Sequence, residues 1–246
     1  MEKFGKVIVK LRIPILILSF LLLIPSAIGY FNTRVNYDIL YYLPNEIETM
    51  QGQDILMDDF NKGAYAMVVV QNMDTKSTDR LIKKVENVDH VAQVISYTGI
   101  VGEDVPSEIV PSKFRKYFEN DSTDTTLFAI FFDNTTSSDD TMNAIIQIRE
   151  QTEGQAFISG MSAVVTDTKN LSEKETPLYV LIAVVLVCIV LAIFMDSFLV
   201  PVFFMISIGM AIVYNLGSNI LLGEVSYITK ALAAVLQLGV TLDYSI

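Results

Sequence analysis

The chain has 246 residues, a formal net charge of −11, one cysteine and one histidine. These counts exclude a disulfide framework and a zinc cluster of cysteine and histidine, because either needs several such side chains. The charge is uneven: residues 32–176 carry 12 Lys and Arg against 24 Asp and Glu, whereas residues 13–31 and 177–246 are almost free of charge. The acidic block excludes nucleic acid as a partner, since neutralising phosphates requires basic surface.

The first apolar run, residues 13–31, predicts a transmembrane helix, because about 20 apolar residues cross the hydrocarbon core of a bilayer. Four basic residues precede it. By the positive-inside rule that end is cytoplasmic, so residues 1–31 form a cytoplasmic N-terminus and a first span. A cleaved signal peptide is the alternative, since Ala27-Ile28-Gly29 offers small residues for cleavage. Either interpretation places residue 32 outside the cytoplasm.

Residues 32–176 are predicted to form an extracytoplasmic domain in which strands and helices alternate. Short apolar runs rich in β-branched residues predict strands at 64–71, 91–97, 127–132 and 156–159. Two amphipathic helices are predicted between them, the first capped by Ser77. The order strand–helix–strand, occurring twice, is that of the ferredoxin-like βαββαβ fold. Residues 32–62 then form a lead-in arm, and residues 161–176 a helical connection to the second span.

The outer domain gives no sign of catalysis. It has no nucleophile elbow, phosphate loop or His–carboxylate zinc motif. One acidic loop holds Asp133, Asp139 and Asp140, and another holds Asp121 and Asp124. Both lack the ligand spacing and the glycine of an EF-hand, so we expect solvated loops rather than a metal site. His90 is expected to have a surface or structural role.

Three further apolar runs predict transmembrane helices within residues 177–246. They cover residues 178–195, 198–222 and 228 onward. Counting the crossings gives a path in, out, in, out, in, which agrees with the basic N-terminus. The last run stops at residue 246 without flanking charges, and we expect the chain to be a truncated fragment.

Asp243 is the strongest candidate for a functional residue. If its helix starts between Thr229 and Ala231, Asp243 lies roughly 18–21 Å deep, near or just past the midplane of a core ~30 Å thick. An aspartate there costs about 2.5–3.5 kcal/mol on insertion scales, and such residues normally serve proton or ion chemistry. Tyr244 can hydrogen-bond a neighbouring group, and Gly239, one turn earlier, leaves room for another helix. The alternative is that Asp243 is solvated at the cytoplasmic end and that Tyr244 is an interfacial aromatic.

Four stretches resemble the MMPL-type branch of the resistance–nodulation–division (RND) transporters. They are the arm at 36–44, the segment at 160–177 with Gly160, Ala163, Asp167 and Pro177, the turn at 195–201, and the motif at 239–244. In the turn the family usually has Phe-Arg-Ser, so Asp196 departs from the family pattern and removes the expected cytoplasmic charge. In the family's fourth span the Asp–Tyr pair is the proton relay, which implies that role for Asp243 and Tyr244.

The resemblance implies an α+β membrane protein that crosses the cell (plasma) membrane several times. Its extracytoplasmic ferredoxin-like porter domain, residues 32–176, would guide a hydrophobic or amphiphilic substrate. The implied activity is proton-motive-force-driven export of lipids, amphiphiles or drugs, with the proton as coupling ion and no other cofactor. The implied partners are the lipid bilayer and a missing C-terminal half of the same transporter; oligomerisation stays open. The alternatives are a lipid- or sterol-sensing protein and a partner-docking protein, neither of which transports.

Overall fold

The structure, a computed structural model, describes residues 6–7, 9–38, 40–102, 105, 109–120, 122–152, 154–194 and 199–245. For residues 40, 194, 200, 234, 238 and 241–245 it describes the backbone alone. The chain mixes helix and sheet and divides into two compact units. One consists of Met1–Asn36 with Leu171–Ile246, and the other of Tyr37–Asn170.

Helices dominate the first unit, and helices and strands alternate in the second. The helices are α1 (Arg12–Asn32), α2 (Glu48–Asp58), α3 (Thr75–Glu86), α4 (Tyr97–Val101), α5 (Ser112–Arg115), α6 (Asp139–Gln151), α7 (Met161–Phe194), α8 (Leu199–Ser218) and α9 (Tyr227–Ser245). The strands are β1 (Arg34–Asn36), β2 (Ala64–Gln71), β3 (Val91–Ile95), β4 (Glu119–Asn120), β5 (Thr125–Phe132), β6 (Ala156–Ser159) and β7 (Glu224–Ser226). Short 3-10 helices occupy Leu40–Tyr42 and Asn219–Leu222.

The unit Tyr37–Asn170 is built on an antiparallel sheet in the order β3-β5-β2-β6, with β4 paired to the start of β5. Along β2 every second side chain from Ala64 to Val70 is buried, because successive side chains of a strand point to opposite faces. The buried face packs against apolar residues of α3 and α6, among them Val85 and Ile145. The predicted strands 64–71 and 156–159 are confirmed at both ends, and the strand predicted at 127–132 begins two residues earlier.

Side-chain caps shift two of the predicted boundaries. The prediction that Ser77 caps α3 is wrong: Asp74 is the cap, and its carboxylate accepts the backbone N–H of Ser77 at 3.1 Å. Ser77 lies in the first turn, where its amide is one of the donors that a cap satisfies. Strand β3 ends at Ile95 rather than residue 97, because the Ser96 hydroxyl accepts the N–H of Gly99 at 3.0 Å and begins α4.

Among the described residues, three helices are long and apolar enough to cross a membrane: Arg12–Asn32, Met161–Ile193 and Pro201–Leu222. Helix α9 is not among them, so the fourth span stays a prediction. The predicted connection at 161–176 is helical and continues without a break through Pro177 into the second span. The predicted turn at Asp196 lies outside the described residues.

Helices α1 and α8 approach each other backbone to backbone. A Cβ added at Gly29 would lie 2.2 Å from the carbonyl oxygen of Gly217, and one added at Gly217 would lie 2.1 Å from that of Ser26. Nearby, the hydroxyl of Tyr214 donates to the carbonyl oxygen of Ser19 at 2.6 Å. Glycine at the crossing allows this close packing, which is a common way for membrane helices to associate.

Strands β1 and β7 form a parallel pair within the same unit. Their register aligns Arg34 with Glu224 and Asn36 with Ser226. The side-chain amide of Asn36 also donates to the Glu224 carboxylate at 3.3 Å. The pair therefore fastens the chain just after α1 to the chain just before α9.

Candidate functional site

The three predicted site residues all lie on α9. The backbone is helical at Asp243 and Tyr244, and Asp243 lies about 24 Å along the helix axis from Tyr227 at 1.5 Å per residue. The side chains of Asp243 and Tyr244 are outside the described part of the structure, so their role as a proton relay stays a prediction. Gly239 precedes Asp243 by about one turn, and a Cβ added there would meet no described atom within 4 Å. Among the described atoms, α9 therefore has open space beside Gly239.

The first turn of α9 is held in place by α1. The ammonium of Lys230 lies 5.2 Å from the centre of the Tyr30 ring, a cation–π contact. Strand β7 adds the backbone pairing to β1, and α9 also packs along α8. The beginning of α9 is therefore fixed to its neighbours, whereas open space lies beside Gly239.

An apolar cavity of about 240 Å³ lies between α7, α8 and α9. Its described lining consists of Thr176, Tyr179, Val180, Ala183, Val184, Ile212, Ala231 and Val235. None of these side chains is charged. The cavity is slightly smaller than typical small-molecule sites, which start at about 300 Å³. Its lining suits a hydrocarbon chain rather than a polar ligand.

The side chains of the acidic loop at 133–140 in the unit Tyr37–Asn170 contact neighbouring side chains. His90 Nδ1 lies 3.2 Å from Asp133 Oδ1, and His90 Nε2 lies 3.8 Å from Asp140 Oδ1. Lys169 donates to the Asp139 carboxylate at 3.0 Å. Within the described residues, no group of three or more His, Cys, Asp or Glu is arranged to hold a metal ion. Asp121, in the second predicted acidic loop, is not among those residues.

The apolar helices and the helix-backed antiparallel sheet define a membrane protein with a folded domain of its own. Comparison with known families matches the MMPL family over residues 42–246, which is most of the chain. The chain therefore belongs to the MMPL family, whose members are membrane-located transporters of the RND type. No curated protein matches the sequence.

Proposed function

We propose that the chain is part of a proton-motive-force-driven exporter of lipids, amphiphiles or drugs. The observation that carries the proposal is the place of Asp243, about 24 Å along a helix that the family match includes. If Tyr227 marks the outer edge of a hydrocarbon core ~30 Å thick, Asp243 lies past the midplane but still within the core. An aspartate in the core costs up to about 2.5–3.5 kcal/mol on insertion scales. Binding and releasing a proton would explain why a transporter keeps it, with Tyr244 beside it as a hydrogen-bonding partner.

Protonation of Asp243 would change how α9 packs against neighbouring helices. Neutralising Asp243 removes a charge from one end of α9, while contacts with Tyr30 and β1 hold its other end. The space beside Gly239 leaves room for a neighbouring helix to move closer when the charge is gone. One proton crossing 100 mV supplies about 2.3 kcal/mol, which corresponds to a substrate gradient of roughly 50-fold.

The unit Tyr37–Asn170 is proposed to be an extracytoplasmic porter domain with the ferredoxin-like fold. The strand order β3-β5-β2-β6 supports this, because a βαββαβ chain numbered by strand gives the order 2-3-1-4 with antiparallel neighbours. Helix α3 follows β2 and helix α6 follows β5, the first and third strands of the βαββαβ order. Both helices pack on one face of the sheet, as the fold requires. In this role the domain would pass substrate onward rather than act on it chemically.

The test is export of a fluorescent amphiphile from the native cells, with and without an uncoupler. Wild-type export should collapse when the uncoupler is added, and Asp243→Asn should export no more than uncoupled wild type. Glu46→Gln removes a carboxylate from an exposed position of the other unit and should export normally. Undiminished, uncoupler-sensitive export by Asp243→Asn would eliminate the proposed relay.

Two alternatives each have an observation in their favour. A lipid- or sterol-sensing protein would use the apolar cavity between α7, α8 and α9. A partner-docking protein would use the sheet face opposite the helices, where Tyr65, Met67 and Phe157 are exposed. Neither alternative transports, so both predict that the wild-type protein adds no uncoupler-sensitive export, and the export experiment separates them from a proton-driven exporter.

A further inference from the structure

We propose that a groove between α3 and α6 binds the phosphate headgroup of an anionic lipid. Arg80, Lys83 and Lys84 of α3 line it together with Gln151 of α6, around a cleft of about 610 Å³. A second cleft of about 300 Å³ adjoins it and shares Arg80, Lys84 and Gln151. Both are open depressions of the surface rather than enclosed pockets. The inference rests on the proposed export function, to which it adds a class of substrate.

Two of the groove's cations are available to an anion. Arg80 donates from Nη2 to the Ser77 hydroxyl at 3.1 Å and from Nε to the Lys76 carbonyl at 3.3 Å. These bonds orient the guanidinium and leave three of its five donors for a ligand. No carboxylate in the described residues forms an ion pair with Arg80 or Lys84. A planar guanidinium held in this way suits two-point contact with a phosphate.

The charge around the groove selects a small anion. Residues 32–176 carry 24 acidic side chains against 12 basic ones, and four of the basic residues lie on α3. An acidic peptide, a polyanion or an anionic membrane surface would extend past the groove over this negative surface and be repelled within a Debye length of about 10 Å. A single headgroup with one net negative charge would contact the three cations, and the carboxylate of Asp74 faces Arg80 through Ser77. The groove therefore favours a monomeric ligand.

Apolar side chains favour a lipid headgroup over a free phosphate ion. Met73, half-buried, and Leu81, buried, line the second cleft beside the cations. The exposed amide of Gln155 lies on the same cleft and can bond to hydroxyl groups. A phosphate ion would leave this surface unused, whereas a glycerol phosphate with attached carbons would cover it. Cations next to an apolar wall match the charge and the carbon skeleton of such a headgroup.

The experiment is calorimetric titration of the full chain in neutral-detergent micelles at low salt. The main probe is glycerophosphoglycerol, an anionic lipid headgroup without acyl chains, and glycerophosphocholine is the zwitterionic comparison. Arg80→Gln with Lys84→Gln should weaken binding of the main probe by on the order of tenfold, the effect of losing a charge-assisted hydrogen bond. Lys113→Gln with Lys116→Gln removes the same charge from the same unit outside the groove and should leave binding unchanged.

Several results would overturn the proposal. The first is that both double variants weaken binding of glycerophosphoglycerol equally. The second is that glycerophosphoglycerol does not bind. The third is that glycerophosphocholine or inorganic phosphate binds as tightly as glycerophosphoglycerol. Tighter binding of a polyglutamate peptide would indicate a polymer site instead. If circular dichroism shows that the groove variant is unfolded, Lys84→Gln alone should still weaken binding. Calorimetry uses no proton gradient, so absence of headgroup binding would leave the proposed Asp243 relay untouched. Equally, an export result that excludes the relay would leave the measured headgroup binding unaffected.

Discussion

Replacing Gly217 with alanine should force α1 and α8 apart. The new Cβ would lie 2.1 Å from the carbonyl oxygen of Ser26 and 2.6 Å from its carbonyl carbon. Carbon and oxygen atoms that are not bonded approach to about 3.3 Å, so the helices would have to separate by roughly 1 Å at this point. Both obstructing atoms belong to the backbone, so no side chain can rotate away to relieve the contact.

The expected cost follows from two opposing effects. Overfilling a packed contact costs about 1–3 kcal/mol. Alanine in place of glycine favours a helix by up to about 1 kcal/mol. Gly217→Ala should therefore lower the free energy of unfolding by about 0–2 kcal/mol, and by about 1–3 kcal/mol relative to a glycine-to-alanine change without the overfilled contact. Gly209→Ala lies on the same helix, where an added Cβ meets no described atom within 4 Å, and it should be neutral or slightly stabilising.

Thermal unfolding in neutral detergent, followed by circular dichroism, measures the difference between the two variants. Gly29→Ala gives an independent measurement on the other helix, because its Cβ would lie 2.2 Å from the Gly217 carbonyl oxygen. Equal midpoints for Gly217→Ala and Gly209→Ala would refute the close crossing. If Gly217→Ala lowers the unfolding midpoint and Gly29→Ala does not, the helices cross at a different point along α1.

Two further predictions concern the unit Tyr37–Asn170. The Thr141 hydroxyl is buried without a hydrogen-bond partner among the described residues, so Thr141→Val should stabilise the protein by about 1 kcal/mol in the same assay; destabilisation would mean that the hydroxyl is bonded. Hydrogen bonds from the Ser77 side chain and backbone hold the pKa of Asp74 below its usual value of 3.8. The Asp74 carboxylate therefore stabilises the fold above that pH, and this contribution is lost as the pH falls through the lowered pKa. Asp74→Asn keeps a cap without a charge, so its difference from wild type in unfolding midpoint should shrink below pH 3.8; a constant difference would contradict the assignment.

The strands of the unit Tyr37–Asn170 were predictable because each carries its own sequence pattern. Strands β2 and β6 are short apolar runs that end at polar residues or glycine, and both match their predicted bounds. The cap of α3 was not predictable with the same certainty, because Asp74 and Ser77 are both good capping residues. Only the backbone angles at Asp74, which are extended rather than helical, decide between them.

The contacts around α9 could not be predicted from local sequence. Strands β1 and β7 have three residues each, too few to show a period, and the Asn36–Glu224 bond joins positions 188 residues apart. The Lys230–Tyr30 contact likewise depends on two helices meeting. Asp243 is different, because a carboxylate in an apolar run is visible without any partner. The sequence therefore points to the candidate residue, and the fold is needed to show how its helix is held.

The pairing of β1 with β7 constrains the parity of the membrane crossings. Strand β1 follows α1 and β7 precedes α9, so hydrogen bonds between them require Asn36 and Glu224 to lie on the same face of the bilayer. The chain between those residues must then cross an even number of times. Two candidate spans lie in that interval, on α7 and α8, so either both cross or neither does. Six residues of backbone pairing thus exclude every topology in which only one of the two helices spans the membrane.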